Sequence, residues 1–183
     1  MKPTLTPTTM QTPWMILFSL AITINACQPI DNTSSHGDDV DMVITASINA
    51  LVDNWHQAAS DADSMTYFSS MHNDASIFMG TDASERWTTL EFAQWSHRFF
   101  QGESAWTFVP RTRHVNMHGS VGWFDEVLDS DHMGECRGSG VVIKGSDGQW
   151  RIAHYILSFP VPNDLADALV ENIQAYQGGL NLH

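Results

Sequence analysis

"CRGSGVVIKGSDGQWRIAHYILSF", residues 136–159, reads as two β-strands about a polar turn, and its reading decides the fold. "CRGSGVVIK" (136–144) and "QWRIAHYILSF" (149–159) are rich in aliphatic and aromatic residues, and the "SDG" between them carries turn chemistry. If Asp147–Gly148 forms a two-residue turn, residues whose numbers sum to 295 lie opposite each other. Val141 then pairs with His154, Ser139 with Ile156 and Arg137 with Ser158. Alternation puts Arg137, Ser139, Val141, Ile152, His154 and Ser158 on one face, with Trp150 beside them. Arg, His and Ser among apolar residues look like a pocket lining. The structural alternative is that Arg137 pairs with an acid and His154 bonds a backbone carbonyl.

Two further strands precede this hairpin, "AWTFVPRTRHVNMH" (105–118) and "SVGWFDEVL" (120–128). Upstream the period changes. Val43, Ile44, Ala46, Ile48, Leu51, Val52 and Trp55 recur at three- and four-residue spacing, which predicts a helix of roughly 20 residues from Val40 to near "SDADS". Asp61 or Asp63 is placed to cap a short second helix around Met65–Met71. "ASIFMGT" (75–81) is a strand, and "TDASERWTTLEFAQWSHRFF" (81–100) holds a third helix that starts at a cap-like Thr88 or Thr89. "PNDLADALVENIQAYQ" (162–177) closes the chain as an amphipathic helix with Asn163 as its N-cap. Helices followed by mainly antiparallel strands make an α+β domain.

These runs together resemble the SnoaL-like proteins of the nuclear transport factor 2-like superfamily. "FMGTDASERW", "AWTF", "WFDEVL", "CRGSGVVIK" and "WRIAHYILSFPVPND" carry the resemblance, which covers about residues 40–170. It implies a cone-shaped (cystatin-like) fold, with N-terminal helices on a curved sheet that encloses a pocket, commonly in a homodimer. The superfamily includes isomerases, cyclases, dehydratases and non-catalytic binding or assembly domains, so fold alone does not select a function.

Composition removes several classes. The 183 residues carry a net charge of −13, with no Lys or Arg between Lys2 and Arg86. Nucleic acid, which needs a basic stripe, is not an expected partner. His114 and His118, four apart on a strand, would stand about 13 Å from each other, too far to share an ion. No metal or cofactor is expected.

The polar candidates divide by location. Asp125 and Glu126 are adjacent on a strand and point to opposite faces, so one of them enters the pocket. Glu126 shares its face with Phe124 and Leu128, Asp125 with Trp123 and Val127. With His154, the inward carboxylate would supply acid–base catalysis if the protein is an enzyme; it could equally be the counter-ion of Arg137. Asp82, Glu85, Arg86 and Trp87 would gather at the pocket rim. Arg137, His154, Ser139 and Tyr155 join them as ligand-binding candidates. Trp106 is expected in the core or at a dimer interface.

The N-terminal segment has its own logic. "WMILFSLAITI" (14–24) rises only about 16 Å as a helix, too short for roughly 30 Å of hydrocarbon. It fits the apolar region of a signal peptide. "INAC" (24–27) resembles a bacterial lipobox, with Asn25 where a small residue is usual and Ile24 where Leu is commoner. The resemblance implies cleavage before Cys27, lipidation of its thiol and an envelope location, with Gln28 directing it to the outer membrane. The expected division is a leader over 1–26, a lipidated Cys27 and flexible tether over 27–39, the domain over 40–177 and a tail over 178–183. Cys136 is left as a lone thiol, unless it pairs with Cys27. The expected function is a lipid-anchored protein binding a small apolar or anionic molecule. The alternatives are a cofactor-free isomerase, dehydratase or hydrolase using His154 with Asp125 or Glu126, and an assembly module whose pocket is filled by Trp55, Trp87 and Tyr155.

Overall fold

The computed structural model describes residues 33–180. The expected leader, the lipidation site Cys27 and the end of the tail lie outside the described residues. Helix α1 (Thr33–Ser60) is longer than expected: it begins inside the stretch read as tether. A nucleated helix extends at little cost, so a polar flank does not stop it. Its apolar stripe buries Ile48, Val52, Trp55 and Ala59 completely or nearly so. Asp63 caps α2 (Ser64–Ser69) through a hydrogen bond from the Thr66 amide. Strand β1 (Ile77–Met79) is followed by β2 (Arg86–Thr88) and α3 (Thr89–Ser96). The sequence reading missed β2, whose three residues are too few to show a period. Thr88 and Glu91 form a reciprocal capping box that starts α3.

Four long strands follow: β3 (Val109–His118), β4 (Val121–Ser130), β5 (Gly134–Lys144) and β6 (Trp150–Ser158). With β1 and β2 they form one curled mixed sheet in the order β2-β1-β6-β5-β4-β3, parallel only between β1 and β6. This is the expected α+β cone. Helix α4 (Ala166–Leu180) ends the described chain after a single 3₁₀ turn; Asn163 lies in that turn and makes no side-chain cap. Among the described residues no helix is long and apolar enough to cross a membrane.

The β5–β6 register holds from Arg137↔Ser158 to Val141↔His154 as the turn arithmetic required. It then shifts by one residue, pairing Val142 with Ile152. The connection runs over five residues, Gly145–Gln149, rather than two, with Asp147 accepting from the Gln149 amide. The bulge compensates for the longer loop and moves Ile152 to the opposite face from His154.

That opposite face is the buried one. Cys136, Gly138, Gly140 and Val142 of β5 are buried, as are Gly122, Phe124, Glu126 and Leu128 of β4 and Tyr155 and Leu157 of β6. The face expected to line a pocket is therefore the outer face of the sheet. Alternation defines two faces but does not say which one meets the helices; two glycines do. A Cβ on Gly138 would come within 2.8 Å of Glu126 Oε1, and one on Gly140 within 2.6 Å of the Phe124 ring. Bare backbone there makes room for Tyr155, Glu126 and Phe124 on the concave side.

Candidate functional site

Two features occupy the inside of the cone. The first is a buried polar network centred on Glu126, which is 1% exposed. Its Oε1 accepts from Tyr155 OH at 3.0 Å and faces His56 Nε2 at 2.9 Å. Its Oε2 accepts from Arg113 Nε at 2.8 Å, and Arg113 Nη2 lies at the same distance. Arg113 also reaches Asp53 at 2.7 Å and the Asn49 carbonyl at 3.2 Å. Burial pushes the Glu126 carboxyl up, but the His56 hydrogen bond and the charges of His56 and Arg113 outweigh it and hold it below the ordinary glutamate value. Burial and the Glu126 charge raise the Tyr155 phenol well above its ordinary value, which leaves it a neutral donor.

The sequence reading singled out neither His56 nor Arg113. A signal for Arg113 was present. "GS" at 119–120 joins β3 to β4, and the turn arithmetic used for the next hairpin pairs Arg113 with Glu126, as observed. His56 lies four residues after Val52, at the edge of the buried stripe of α1. His56 also borders a shallow cavity of about 250 Å³ with Asp53, Gln57, Ser60, Thr107 and Phe108.

The second feature is an aromatic cavity of about 280 Å³ between the sheet and α3. Trp87, Trp95, Phe92 and Phe99 form one wall, with ring centroids 4.8 Å apart for Trp87–Trp95, 5.6 Å for Phe92–Trp95 and 5.3 Å for Trp95–Phe99. Trp106, Phe108, Phe78, Ala105, Leu157, Met133 and Gly80 complete the lining, with Glu85, Thr81 and His132 as its polar members. Phe108 lines both cavities.

The structure scatters the expected site residues. Glu85 and Trp87 line the aromatic cavity, while Asp82 stays in the exposed turn, bonded to Ser84. Arg86 points to the outer face. Tyr155 is buried behind the cavity, against Trp55 and Phe78. Arg137, Ser139 and His154 do share a face, but it is the outer one. Ser139 there donates to the Phe124 carbonyl at 3.1 Å. Burial, then the nearby Arg86 charge, lowers the His154 pKa. Asp125 faces outward opposite Ser139, on the other side of the sheet from Glu126. His154 and Glu126 are thus separated by the sheet and cannot act on one substrate. Trp106 packs half-buried against the core, one of its two expected places, and also lines the cavity. Trp123 is the tryptophan on the outer face, 46% exposed. No group of three or more metal-binding side chains occurs among the described residues.

The SnoaL-like domain family matches residues 48–162, and the chain belongs to it. Solved structures share the fold at low identity. A nuclear transport factor 2-like protein of unknown function from Pseudomonas putida KT2440 is 16% identical with a TM-score of 0.56, over 67% of this chain and 90% of its own. A Streptomyces avermitilis protein of the same superfamily, described as a candidate dehydratase, is 13% identical with a TM-score of 0.57, over 67% and 99%. A third, of unknown function from Shewanella oneidensis MR-1, is 15% identical with a TM-score of 0.53, over 63% and 98%. No curated protein matches the chain in sequence.

Proposed function

We propose that this SnoaL-like protein is a lipid-anchored envelope protein that binds a small, largely apolar molecule inside its cone. The observation that carries the binding role is the aromatic cavity of about 280 Å³, whose wall is mainly Trp and Phe. Concave, mostly apolar cavities with a few polar groups are where small ligands bind. Glu126 speaks for the same reading. His56, Tyr155 and Arg113 occupy both of its oxygens, which supports a role in holding the cone together. An anionic ligand loses its support, because Arg137 lies outside the cavity. The envelope location rests on the "INAC" run and the apolar segment before it. Replacing Cys27 by Ser should release the protein from membranes or leave it unprocessed.

The reading includes a homodimer through the outer sheet face. Trp123 and Val121 are exposed there, with Val141, Ile143 and Ile156 half-buried around them. A second copy would cover this apolar area.

The binding role is tested by titrating the full chain, in detergent, with small aromatic and alicyclic compounds while following tryptophan fluorescence. Saturable one-to-one changes are expected in the native protein and not in Ala105→Phe, which fills the cavity. Equal responses in both, or none in either, would overturn the assignment. One observation favours a second reading, an acid–base enzyme. Glu126 orients the His56 ring, and His56 borders the about 250 Å³ cavity beside Ser60 and Thr107. A carboxylate-held imidazole at a cavity is the arrangement of a general base. Turnover of a bound compound that disappears in His56→Ala, with folding intact, would select that reading.

A further inference from the structure

The aromatic cavity carries a charge that its other lining residues do not balance. Glu85 is its acid, and no Arg or Lys contributes to the lining. The Glu85 side chain folds back across Gly80, where a Cβ would lie 2.9 Å from its carboxyl carbon. Its Oε2 accepts one hydrogen bond, from the Asp82 amide at 3.2 Å. Among the described residues no Lys, Arg or His pairs with it. The carboxylate is held in place without being neutralised.

Its neighbours decide which ligand suits it. Trp87, Trp95 and Trp106 line the cavity, and the face of an indole ring carries the negative side of its quadrupole, which repels anions and attracts cations. A neutral molecule filling the cavity would strip water from Glu85 and return at most a hydrogen bond, leaving the charge itself uncompensated. A cation wrapped in alkyl groups meets both demands. Its charge compensates the carboxylate, and its methyl or methylene surface packs on the tryptophan faces.

We infer that the cavity takes an organic ammonium ligand of the tertiary or quaternary alkylammonium class, its charge beside Glu85 and its alkyl groups against Trp87, Trp95 and Trp106. The inference rests on the cavity being the binding site, and it narrows the ligand class from apolar to cationic and alkylated. The net charge of −13 also favours encounter with cations over anions.

The experiment compares choline with its uncharged carbon isostere, 3,3-dimethylbutan-1-ol, by calorimetry and tryptophan fluorescence on the full chain. Choline should bind about tenfold more tightly than the alcohol, the scale of a cation–π contact supported by a carboxylate. Glu85→Gln should remove most of that preference, chiefly by weakening choline binding. Ala105→Phe should abolish binding of both. An alcohol that binds as tightly as choline in the native protein would overturn the cationic assignment. So would a preference for choline that survives in Glu85→Gln. Either result leaves the cavity standing as an apolar site. If neither compound binds, or if both still bind to Ala105→Phe, the cavity reading falls and the ammonium inference falls with it.

Discussion

Asp125 and Glu126 are neighbours in the chain and opposites in the fold. Glu126 lies on the concave face of the sheet, enclosed by His56, Tyr155 and Arg113. Asp125 lies on the convex face, exposed among His114, Ser139 and Trp123. The contrast extends across the sheet. The concave face holds the polar network and the aromatic cavity. The convex face holds Arg137 and Trp123 exposed and His154 half-buried. The same residue types therefore have different chemistry on the two sides. A buried charge must be matched in full or it destabilises the fold, whereas an exposed one is matched by water.

The largest expected difference follows from that contrast. Glu126→Ala leaves Arg113 buried without its main partner and should cost about 3–5 kcal/mol, the range for breaking a buried ion pair. Asp125→Ala should stay within about 0.5 kcal/mol, as an exposed substitution. Urea unfolding of both variants measures the two values. Similar losses would mean that the two faces are energetically alike.

Next is the space that β5 leaves on its concave side. Gly138→Ala puts a methyl group into the gap between Glu126 and Tyr155 and should cost about 1–3 kcal/mol by overpacking. Ser139→Ala, one residue away on the convex side, removes the hydrogen bond to the Phe124 carbonyl and should cost about 1 kcal/mol. A Gly138→Ala variant as stable as the native protein would show that the network can move aside.

A smaller effect appears with pH. The folded value of Glu126 lies below its unfolded one, so the folded state binds fewer protons between the two. Its contribution is therefore complete above the unfolded glutamate value, about 4.3, and is lost as pH falls through the lower folded value. Unfolding midpoints measured from pH 7 to 3 should fall more steeply in the native chain than in Glu126→Gln. On the convex face His154 titrates in its own window. Its folded value is below the ordinary histidine value, so its contribution is complete above about 6.5 and declines as pH falls through the folded value. Because His154 is partly exposed, that decline should be small. An NMR titration of its ring that gives a value above the ordinary one would contradict its position beside Arg86.

Much of the architecture was legible from the residues alone. Trp55, Val52 and Ile48 at helical spacing placed α1. A cap-like Thr88 or Thr89 marked the start of α3. The alternating runs after Gly102 located four strands, and a two-residue turn at Asp147–Gly148 predicted the β5–β6 register from Arg137 to Val141. These features were readable because they depend on neighbours in sequence, on helical and strand periods and on turn chemistry. What the chain could not disclose locally was which side of the sheet is the inside. That choice depends on where α1 and α3 pack, on a one-residue bulge that separates Ile152 from His154, and on Gly138 and Gly140 yielding space to Tyr155 and Phe124. Arg113 and His56 meet Glu126 only because β3 and α1 converge on it from 13 and 70 residues away. Strand alternation can say that Asp125 and Glu126 part company. Only the packing of the whole chain decides which of them is buried.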